Sequence, residues 1–293
     1  MNTRIFVLAL AFAFNANAAI TVLDDDGKPV TLQKPALRVI SMAPHATELL
    51  YAAGGAERLV AAVDYSDYPE QAKLLPRVGS NREVDMEKVA ALKPDLIVIW
   101  LHGSSERQIE QLRTLGIPMF HSEPKKLTEI GTSITRLGKL MGTEKVADAA
   151  AADIRTQLTA LTAKYAGRPP VRLFYQVWDK PLYTLNGGHI VSDAVRLCGG
   201  ENIFASLKVT APVVGVEAVL QADPEAIFST GERSREDGGV AIWKAFPRMT
   251  AVRNDNLFRL DGNLLNRPGP RMIAGTAAMC EKLELARQHR KPS

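Results

Sequence analysis

The sequence is poor in cysteine and has no apolar run long enough to cross a membrane. Only two cysteines are present, Cys198 and Cys280. The apolar run from Ile5 to Phe14 has ten residues, whereas a membrane-spanning helix needs about 20. We therefore predict no membrane-spanning helix. For an exported chain the cysteines have two possible uses, a single disulfide or two buried free thiols.

A concentrated basic surface and the familiar catalytic motifs are also missing. The formal net charge is only +4, and the lysines and arginines are scattered among acidic residues, which argues against nucleic-acid binding. The sequence has no glycine-rich phosphate loop, no nucleophile elbow and no helix motif with paired histidines. We predict that the protein is not an enzyme, with a secreted α/β hydrolase or a metal-dependent enzyme as the alternative.

Four histidines are candidate metal ligands, namely His45, His102, His121 and His189. They lack the short spacing of metal-binding motifs, and no acidic fourth ligand is evident in the sequence. His102 lies close to Ser104 and Ser105, but nothing in the sequence fixes these residues as a nucleophile and its base. We predict no metal site and no cofactor.

The first 18 residues have the pattern of a secretory signal peptide. Arg4 supplies the basic start, an apolar run follows, and Ala16-Asn17-Ala18 forms a site of small residues. The mature chain is predicted to begin at Ala19. Because no cysteine lies near this site, the mature protein is expected to be soluble and not a lipoprotein.

The rest of the chain alternates short β-rich runs with longer helical ones, which is typical of α/β units on a mostly parallel sheet. The alternation stops between Thr143 and Tyr165, where 23 residues lack glycine and proline. This segment predicts one long helix capped by Thr143. Its apolar stripe is predicted to consist of Val146, Ala150, Ile154, Leu158, Leu161 and Tyr165.

We predict two similar α/β lobes, residues 19–142 and 167–293, joined by a connecting helix over residues 143–166. One segment occurs in both lobes: Asp85–Trp100 reads "DMEKVAALKPDLIVIW" and Gly215–Thr230 reads "GVEAVLQADPEAIFST". Both copies predict a helix, a proline turn and a strand. Four pairs of residues match at a constant offset of 130 positions, namely Glu87 and Glu217, Val89 and Val219, Pro94 and Pro224, and Ile97 and Ile227.

Aromatic residues cluster at the predicted ends of strands, at Tyr65, Tyr68, Trp100, Trp178 and Tyr183. In open α/β sheets, ligands bind beyond the carboxyl ends of the strands. Aromatic rings there offer a flat apolar surface with a polar edge. The pattern predicts a ligand cleft between the two lobes.

The whole mature chain resembles the periplasmic substrate-binding proteins of ABC importers for iron complexes and vitamin B12. The motifs are "RVISMAPHATELLYAAG", "YSDYP", "ALKPDLIVIW", "ERQIEQLRTLGI" and "CGGENIF". The resemblance implies a periplasmic monomer whose lobes are joined by one rigid helix. Because a single helix bends less readily than crossing strands, closure on ligand binding should be small.

The resemblance also implies the ligand and the residues that meet it. The ligand is expected to be vitamin B12 or another cobalt corrinoid, with Tyr65, Trp100 and Tyr183 lining the cleft and Arg267 at its rim. It implies that Cys198 pairs with Cys280.

Glu87 and Glu217, the repeated acidic residues, match the lobe-top glutamates that dock into arginine sockets of the membrane permease. A symmetric permease dimer needs one such residue from each lobe, which gives the sequence repeat a functional explanation.

Three cleft positions depart from the pattern of the corrinoid-binding members. Asn81 and Ala211 stand where those proteins have tryptophan, and Asn263 stands where they have aspartate. Asn81 and Asn263 are still expected to contact the ligand. The alternatives are a ferric siderophore, for which Arg82 and Arg267 would supply positive charge, and haem, which is disfavoured because the loop before the Glu87 helix lacks tyrosine.

Overall fold

A computed structural model describes residues 19–80, 83–230 and 239–290. The predicted signal peptide, residues 1–18, lies outside the described residues. Across the part of the chain that is described, no helix combines the length and the apolar character needed to cross a membrane.

The first lobe is built on a four-stranded sheet in which every strand pairs in parallel with its neighbours. The strand order is β4-β3-β5-β6. Buried runs such as Leu96–Ile99 form its centre, as expected for strands covered on both faces. Its elements are β3 (Val39–Ser41), α1 (Pro44–Ala52), β4 (Leu59–Ala62), α2 (Met86–Ala91), β5 (Leu96–Ile99), α3 (Glu106–Thr114), β6 (Met119–His121) and α4 (Leu127–Met141).

The second lobe repeats this topology. Its parallel sheet has the order β10-β7-β11-β12, so in both lobes the second strand of the sequence precedes the first, third and fourth. Its elements are β7 (Val171–Gln176), α6 (Ile190–Leu197), β10 (Gly200–Asn202), α7 (Val216–Ala222), β11 (Ala226–Ser229), α8 (Thr250–Arg253), β12 (Leu257–Arg259), α9 (Gly262–Leu265) and α10 (Met272–Gln288).

Two antiparallel hairpins complete the fold. One joins β1 (Ile20–Leu23) to β2 (Pro29–Leu32), and the other joins β8 (Trp178–Asp179) to β9 (Leu182–Tyr183). The prediction of two similar α/β lobes with parallel sheets is confirmed. The exact lobe boundaries stay a prediction.

One long helix, α5 (Glu144–Tyr165), lies between the lobes. It packs on α4 and α1 of the first lobe and on α6 and α10 of the second. Its buried residues are Ala147, Ala151, Ile154, Leu158 and Tyr165.

This helix starts where the prediction placed it, with Thr143 at the N-cap position, but two details differ. Val146 is exposed rather than part of the buried stripe, because it lies over Gly54 at the edge of α1. Thr143 precedes the helix but makes no side-chain cap. Its hydroxyl instead donates to the Ala53 carbonyl at 2.6 Å, which ties the start of α5 to the first lobe.

The two copies of the repeated segment have the same three-dimensional structure, α2 to β5 and α7 to β11. The residue before each proline, Lys93 or Asp223, has a positive φ, 46° and 40° respectively. After each proline an acidic side chain accepts a hydrogen bond from a backbone amide at the start of that lobe's first sheet strand, β3 or β7. Asp95 accepts from the Arg38 amide at 3.0 Å, and Glu225 accepts from the Arg172 amide at 3.2 Å.

The same two arginines also bind the helix ends. Arg38 donates to the Leu92 carbonyl at 2.8 Å and Arg172 donates to the Ala222 carbonyl at 2.9 Å. These carbonyls lie at helix C-termini, where they lack partners within the helix. The repeat in the sequence therefore reflects a packing unit that both lobes use.

Cys198 and Cys280 form a disulfide with their Cα atoms 4.7 Å apart. Both residues are fully buried. The bond joins the end of α6 to the middle of α10. The pairing that the family resemblance implied is confirmed.

Candidate functional site

A cleft of about 940 Å³ lies between the lobes, near the upper end of the usual range for small-molecule sites. The first lobe contributes residues that follow β3 and β5, and the second contributes residues at the ends of β7, β11 and β12. The carboxyl ends of both parallel sheets therefore face one cavity, as expected for ligand sites in this class of fold. It is lined by Pro44, His45, Trp100, Val177, Trp178, Thr230, Arg259, Leu260, Asp261, Gly262, Asn263, Asn266 and Arg267.

Trp100 follows β5 directly and is the main aromatic residue of the first-lobe wall. Its side chain is only partly covered, with 36% of the residue exposed. The indole Nε1 donates to Oε1 of Glu123 at 2.9 Å. Gly103 lies so close that an added Cβ would be 1.9 Å from the Trp100 ring. These contacts fix the ring at the mouth of the cleft.

His45, at the start of α1, lies behind Trp100, with the two rings edge to face and their centroids 6.0 Å apart. The residue is 4% exposed, and its Nε2 lies 3.0 Å from the Ser122 carbonyl. Desolvation by burial lowers the pKa of His45 to about 4, against the opposing effect of this hydrogen bond. His45 is therefore a neutral hydrogen-bond donor at neutral pH.

Glu123 joins Trp100 to two histidines. Its Oε2 lies 2.5 Å from Nδ1 of His102 and 3.5 Å from Nε2 of His121. Burial alone would raise the pKa of Glu123, but the neighbouring His121 and His102 rings and the hydrogen bond from Trp100 outweigh it and lower the pKa to about 2. For His121, burial opposes the charged form, yet the Glu123 and Asp26 carboxylates leave its pKa raised.

Arg267 lines the cleft, but its charge is matched by groups of the first lobe. Its guanidinium lies 2.5 Å from the Asp67 carboxylate and 3.5 Å from the Glu48 carboxylate. It also donates to the Tyr65 carbonyl at 3.2 Å. Arg271 also binds the buried Glu48 carboxylate, with its Nε donating to Oε2 at 3.0 Å and its Nη2 donating to Oε1 at 2.5 Å. These residues connect α1 to the segment that enters α10.

The second-lobe wall combines an indole with amide and acidic groups. Trp178 is 39% exposed, and its Nε1 donates to the Lys180 carbonyl within the β8–β9 hairpin. Asn263 lies at the start of α9, where its backbone amide donates to Asp261. Asn266 accepts from the Tyr175 hydroxyl at 3.2 Å. The wall can therefore offer both a flat apolar surface and hydrogen-bonding groups.

The structure brings some of the predicted ligand residues together and not others. Trp100, Asn263 and Arg267 line the cleft, whereas Tyr65 and Tyr183 are outside its lining. Tyr65 follows β4 with a positive φ of 62° and is 75% exposed. Its backbone carbonyl accepts a hydrogen bond from Arg267, which lines the cleft.

Asn81 and Arg82 lie outside the described residues. Ala211 is exposed in the segment before α7. Among the four histidines, His102 and His121 lie together, while His189 caps α6 by accepting the Val191 amide.

Glu87 and Glu217 occupy equivalent places in the first turns of α2 and α7. Both are exposed. Among the described residues, neither carboxylate forms an ion pair or a hydrogen bond. Each acidic group is therefore available to a partner molecule.

Sequence analysis missed Glu48, Glu123 and Arg271. Glu123 follows strand β6 as Trp100 follows β5, so its place at a strand end was a usable signal. Glu48 occurs within a helix that otherwise reads as apolar, "ATELLYAA", and a buried acidic residue requires a cationic partner. The identity of that partner, more than 200 residues away, is not visible in the sequence.

The comparisons with known proteins place this chain in one family. The model of the periplasmic binding protein family matches residues 39–264, so the chain belongs to that family. It is a family of solute-binding proteins and not a class of enzymes.

Individual relatives are similar over most of their length. The vitamin B12-binding protein of Vibrio cholerae serotype O1 is 42% identical over 255 residues, which is 87% of this chain and 91% of the relative. That of Yersinia pestis is 38% identical over 246 residues, 84% of this chain and 86% of the relative.

Solved structures agree with these matches. The crystal structure of the periplasmic vitamin B12-binding protein of Vibrio cholerae matches with a TM-score of 0.81 at 42% identity, covering 87% of this chain and 99% of that one. A periplasmic haem-binding protein from Roseiflexus matches with a TM-score of 0.73 at 21% identity, covering 85% and 98%. The second likeness concerns the fold alone.

Proposed function

We propose that this protein captures vitamin B12 or a closely related corrinoid and delivers it to an ABC importer. The observation that carries the proposal is the 42% identity, over 87% of the chain, to a vitamin B12-binding protein. The cleft supports it, because about 940 Å³ between two strand-end walls suits a large ligand. Trp100 and Trp178 supply ring surface on opposite walls for a flat macrocycle.

The protein acts in the periplasm under this proposal. Its amino-terminal segment directs export, and the mature chain from Ala19 acts as a soluble monomer. The Cys198–Cys280 disulfide fits an oxidising compartment. Glu87 and Glu217 then contact the two halves of a permease dimer.

The first test is direct binding. The mature protein is mixed separately with cyanocobalamin, a ferric siderophore and haem, and each mixture is separated by gel filtration. A coloured protein peak with cyanocobalamin alone is the expected result. A coloured peak only with the siderophore or with haem would overturn the proposal.

The second test locates the ligand in the cleft. Replacing Trp100 by alanine should weaken corrinoid binding by about 1 to 3 kcal/mol, because the ligand loses an aromatic face. The matched control is Leu74→Ala, which removes an apolar side chain that is 86% exposed and outside the cleft lining. Equal affinities for both variants, measured by titration calorimetry, would place the ligand elsewhere.

A ferric siderophore is the alternative ligand. An acidic chelate of this kind would need uncompensated positive charge in the cleft. Arg267 does not supply it, because Asp67 and Glu48 already neutralise its guanidinium. This pairing removes Arg267 from the charge that a siderophore could use, while Arg259 also lines the cleft and Arg82 lies outside the described residues.

A further inference from the structure

A group of possible metal ligands lies beside the cleft, beyond the ends of β5 and β6. His102 is in the short turn after β5, His121 is the last residue of β6, and Glu123 follows two positions later. One nitrogen from each histidine and one carboxylate oxygen all lie within 4.8 Å of one another. The cavity assigned to the corrinoid is lined by none of these three residues.

His121 has a buried nitrogen without a hydrogen bond. Its side chain is 1% exposed, and Nε2 has no hydrogen-bond partner in the described part of the chain. The nearest carboxylate oxygens, on Glu123 and Asp26, are 3.5 and 3.6 Å away, too far for good hydrogen-bond geometry. A buried polar atom without a hydrogen bond is costly. Here the Nε2 atom of His121 faces two carboxylates.

We propose that His102, His121 and Glu123 bind a divalent transition-metal ion. Ligand atoms about 2.0 to 2.1 Å from a tetrahedral zinc ion lie about 3.4 Å from one another. Glu123 Oε2 and His121 Nε2 are already 3.5 Å apart. His102 has 61% of its side chain exposed and can adjust from its present 2.5 Å contact with Oε2. The fourth position remains open to water or to Asp26.

The groups around the ligands hold them in place. Glu123 keeps its other oxygen on the Trp100 indole at 2.9 Å, and its backbone amide donates to Asp25 at 2.6 Å. Asp25 is in turn paired with Arg136 at 2.5 Å. A carboxylate fixed in this way loses little conformational freedom when it binds an ion.

His121 also has the outer contact that metal-bound histidines use. Its Nδ1 lies 3.2 Å from the Leu101 amide and 3.4 Å from the Ile99 carbonyl. In the structure the Leu101 amide donates to Nδ1. Binding an ion through Nε2 requires the proton to move to Nδ1, where the ring would give up the Leu101 bond and donate to Ile99, the kind of outer contact that orients metal-bound imidazoles. Zinc or nickel suits two imidazoles and one carboxylate.

Zinc binding to the untagged mature protein tests the proposal. Titration calorimetry at neutral pH should give one site per chain. His102→Ala and Glu123→Gln should each weaken zinc binding by about 100-fold or more, since loss of an outer hydrogen-bond partner alone costs 10- to 100-fold. Two variants are used so that a folding defect in one, monitored by circular dichroism, does not decide the result.

The control is His289→Gln, which removes an exposed histidine at the end of α10. Its zinc affinity should equal that of the wild type. Absence of zinc binding in the wild-type protein would overturn the proposal. The proposal would also be overturned if His102→Ala and Glu123→Gln left the zinc affinity unchanged. The same holds if His289→Gln lowered the zinc affinity as much as those two variants do.

Tryptophan fluorescence gives a readout of position. Zinc on Oε2 of Glu123 changes the charge of the carboxylate that accepts the Trp100 N–H, so zinc should change the emission of the wild type. In Trp100→Phe the change should disappear while calorimetry still detects zinc. An emission change of full size in Trp100→Phe would place the ion elsewhere and overturn the assignment.

Discussion

At the scale of single residues, the position of Trp100 depends on a neighbour without a side chain. Gly103 has a backbone that other residues can adopt, since its φ is not among the positive values. A methyl group there would nevertheless come within 1.9 to 2.6 Å of three atoms of the Trp100 ring. Glycine at this position therefore leaves space for the indole.

Gly103→Ala should displace the Trp100 ring without removing it. We expect corrinoid affinity to fall about tenfold, close to the lower end of the loss from deleting an aromatic contact. The control is Gly188→Ala, where the new Cβ would meet only the Asn186 side chain at 3.4 Å. Unchanged corrinoid affinity in Gly103→Ala would show that the ligand does not rely on this ring position.

His45 should make the stability of the protein depend on pH. Its folded-state pKa of about 4 lies below the ordinary value of 6.5, so the unfolded chain takes up a proton first as the pH falls. The neutral ring's contribution is complete above pH 6.5 and is lost as the pH falls to about 4. With 1.36 kcal/mol per pKa unit, the loss is about 3 kcal/mol.

Urea unfolding of the wild type and of His45→Gln at pH 7 and pH 4 measures this effect. The wild type should lose about 3 kcal/mol more than the variant between the two pH values. Equal losses in the two proteins would mean that His45 takes up its proton at the same pH in the folded and unfolded states.

At the scale of secondary-structure elements, α2 and α7 are short helices with the same surroundings. Each packs one buried valine, Val89 or Val219, against its sheet. Each presents a glutamate in its exposed first turn, where the helix dipole stabilises a negative charge. The dipole explains why glutamate is tolerated at both places. The dipole does not explain why neither carboxylate has an ion pair or a hydrogen bond among the described residues.

Replacing Glu87 and Glu217 together by alanine separates docking from stability. We expect corrinoid binding and thermal stability to stay nearly unchanged, while uptake or binding to the permease is lost, because charged hydrogen bonds to arginine would fix the complex. A purely structural role predicts up to about 1 kcal/mol of lost stability per site with transport preserved. Normal transport by the double variant would exclude docking through these residues.

At the scale of the whole molecule, the two lobes are connected by α5 and also by an ion cluster. Glu48 on α1 is buried and paired with Arg271 and Arg267 from the other lobe. Arg271 also stacks over the Tyr68 ring at 3.9 Å. A continuous helix and a buried ion cluster both resist separation of the lobes, which supports a small closing motion on ligand binding.

Glu48→Gln should destabilise the protein by about 3 kcal/mol, because the buried carboxylate is lost and the half-buried Arg271 guanidinium is left without its carboxylate partner. The control is Glu70→Gln in the exposed pair with Lys73, where we expect less than about 1 kcal/mol. Urea unfolding measures both variants, and solution scattering of Glu48→Gln should show a larger radius of gyration. Equal stability of the two variants would mean that the Glu48 cluster contributes little.

Much of the fold could be predicted from local patterns. The alternation of helices and strands, the 23-residue segment without glycine or proline, and the repeat at 130 residues follow from hydrophobic periodicity and turn residues, which act over short stretches of chain. The details at the ends of elements were less secure. The Thr143 side chain does not cap the helix because its hydroxyl donates to the Ala53 carbonyl. Val146 lies over Gly54 instead of in the buried stripe. Both partners are far away in the sequence.

The sequence by itself determined two parallel α/β lobes joined by one helix, a pair of matched acidic residues and an aromatic residue at the end of β5. Only the tertiary structure decided the partners of the buried charges. Glu48 meets arginines more than 200 residues away, and Glu123 meets His102 and His121 where two strands end side by side. Periodicity reports which face of an element is buried, whereas these pairs depend on how strand ends and lobes meet in space.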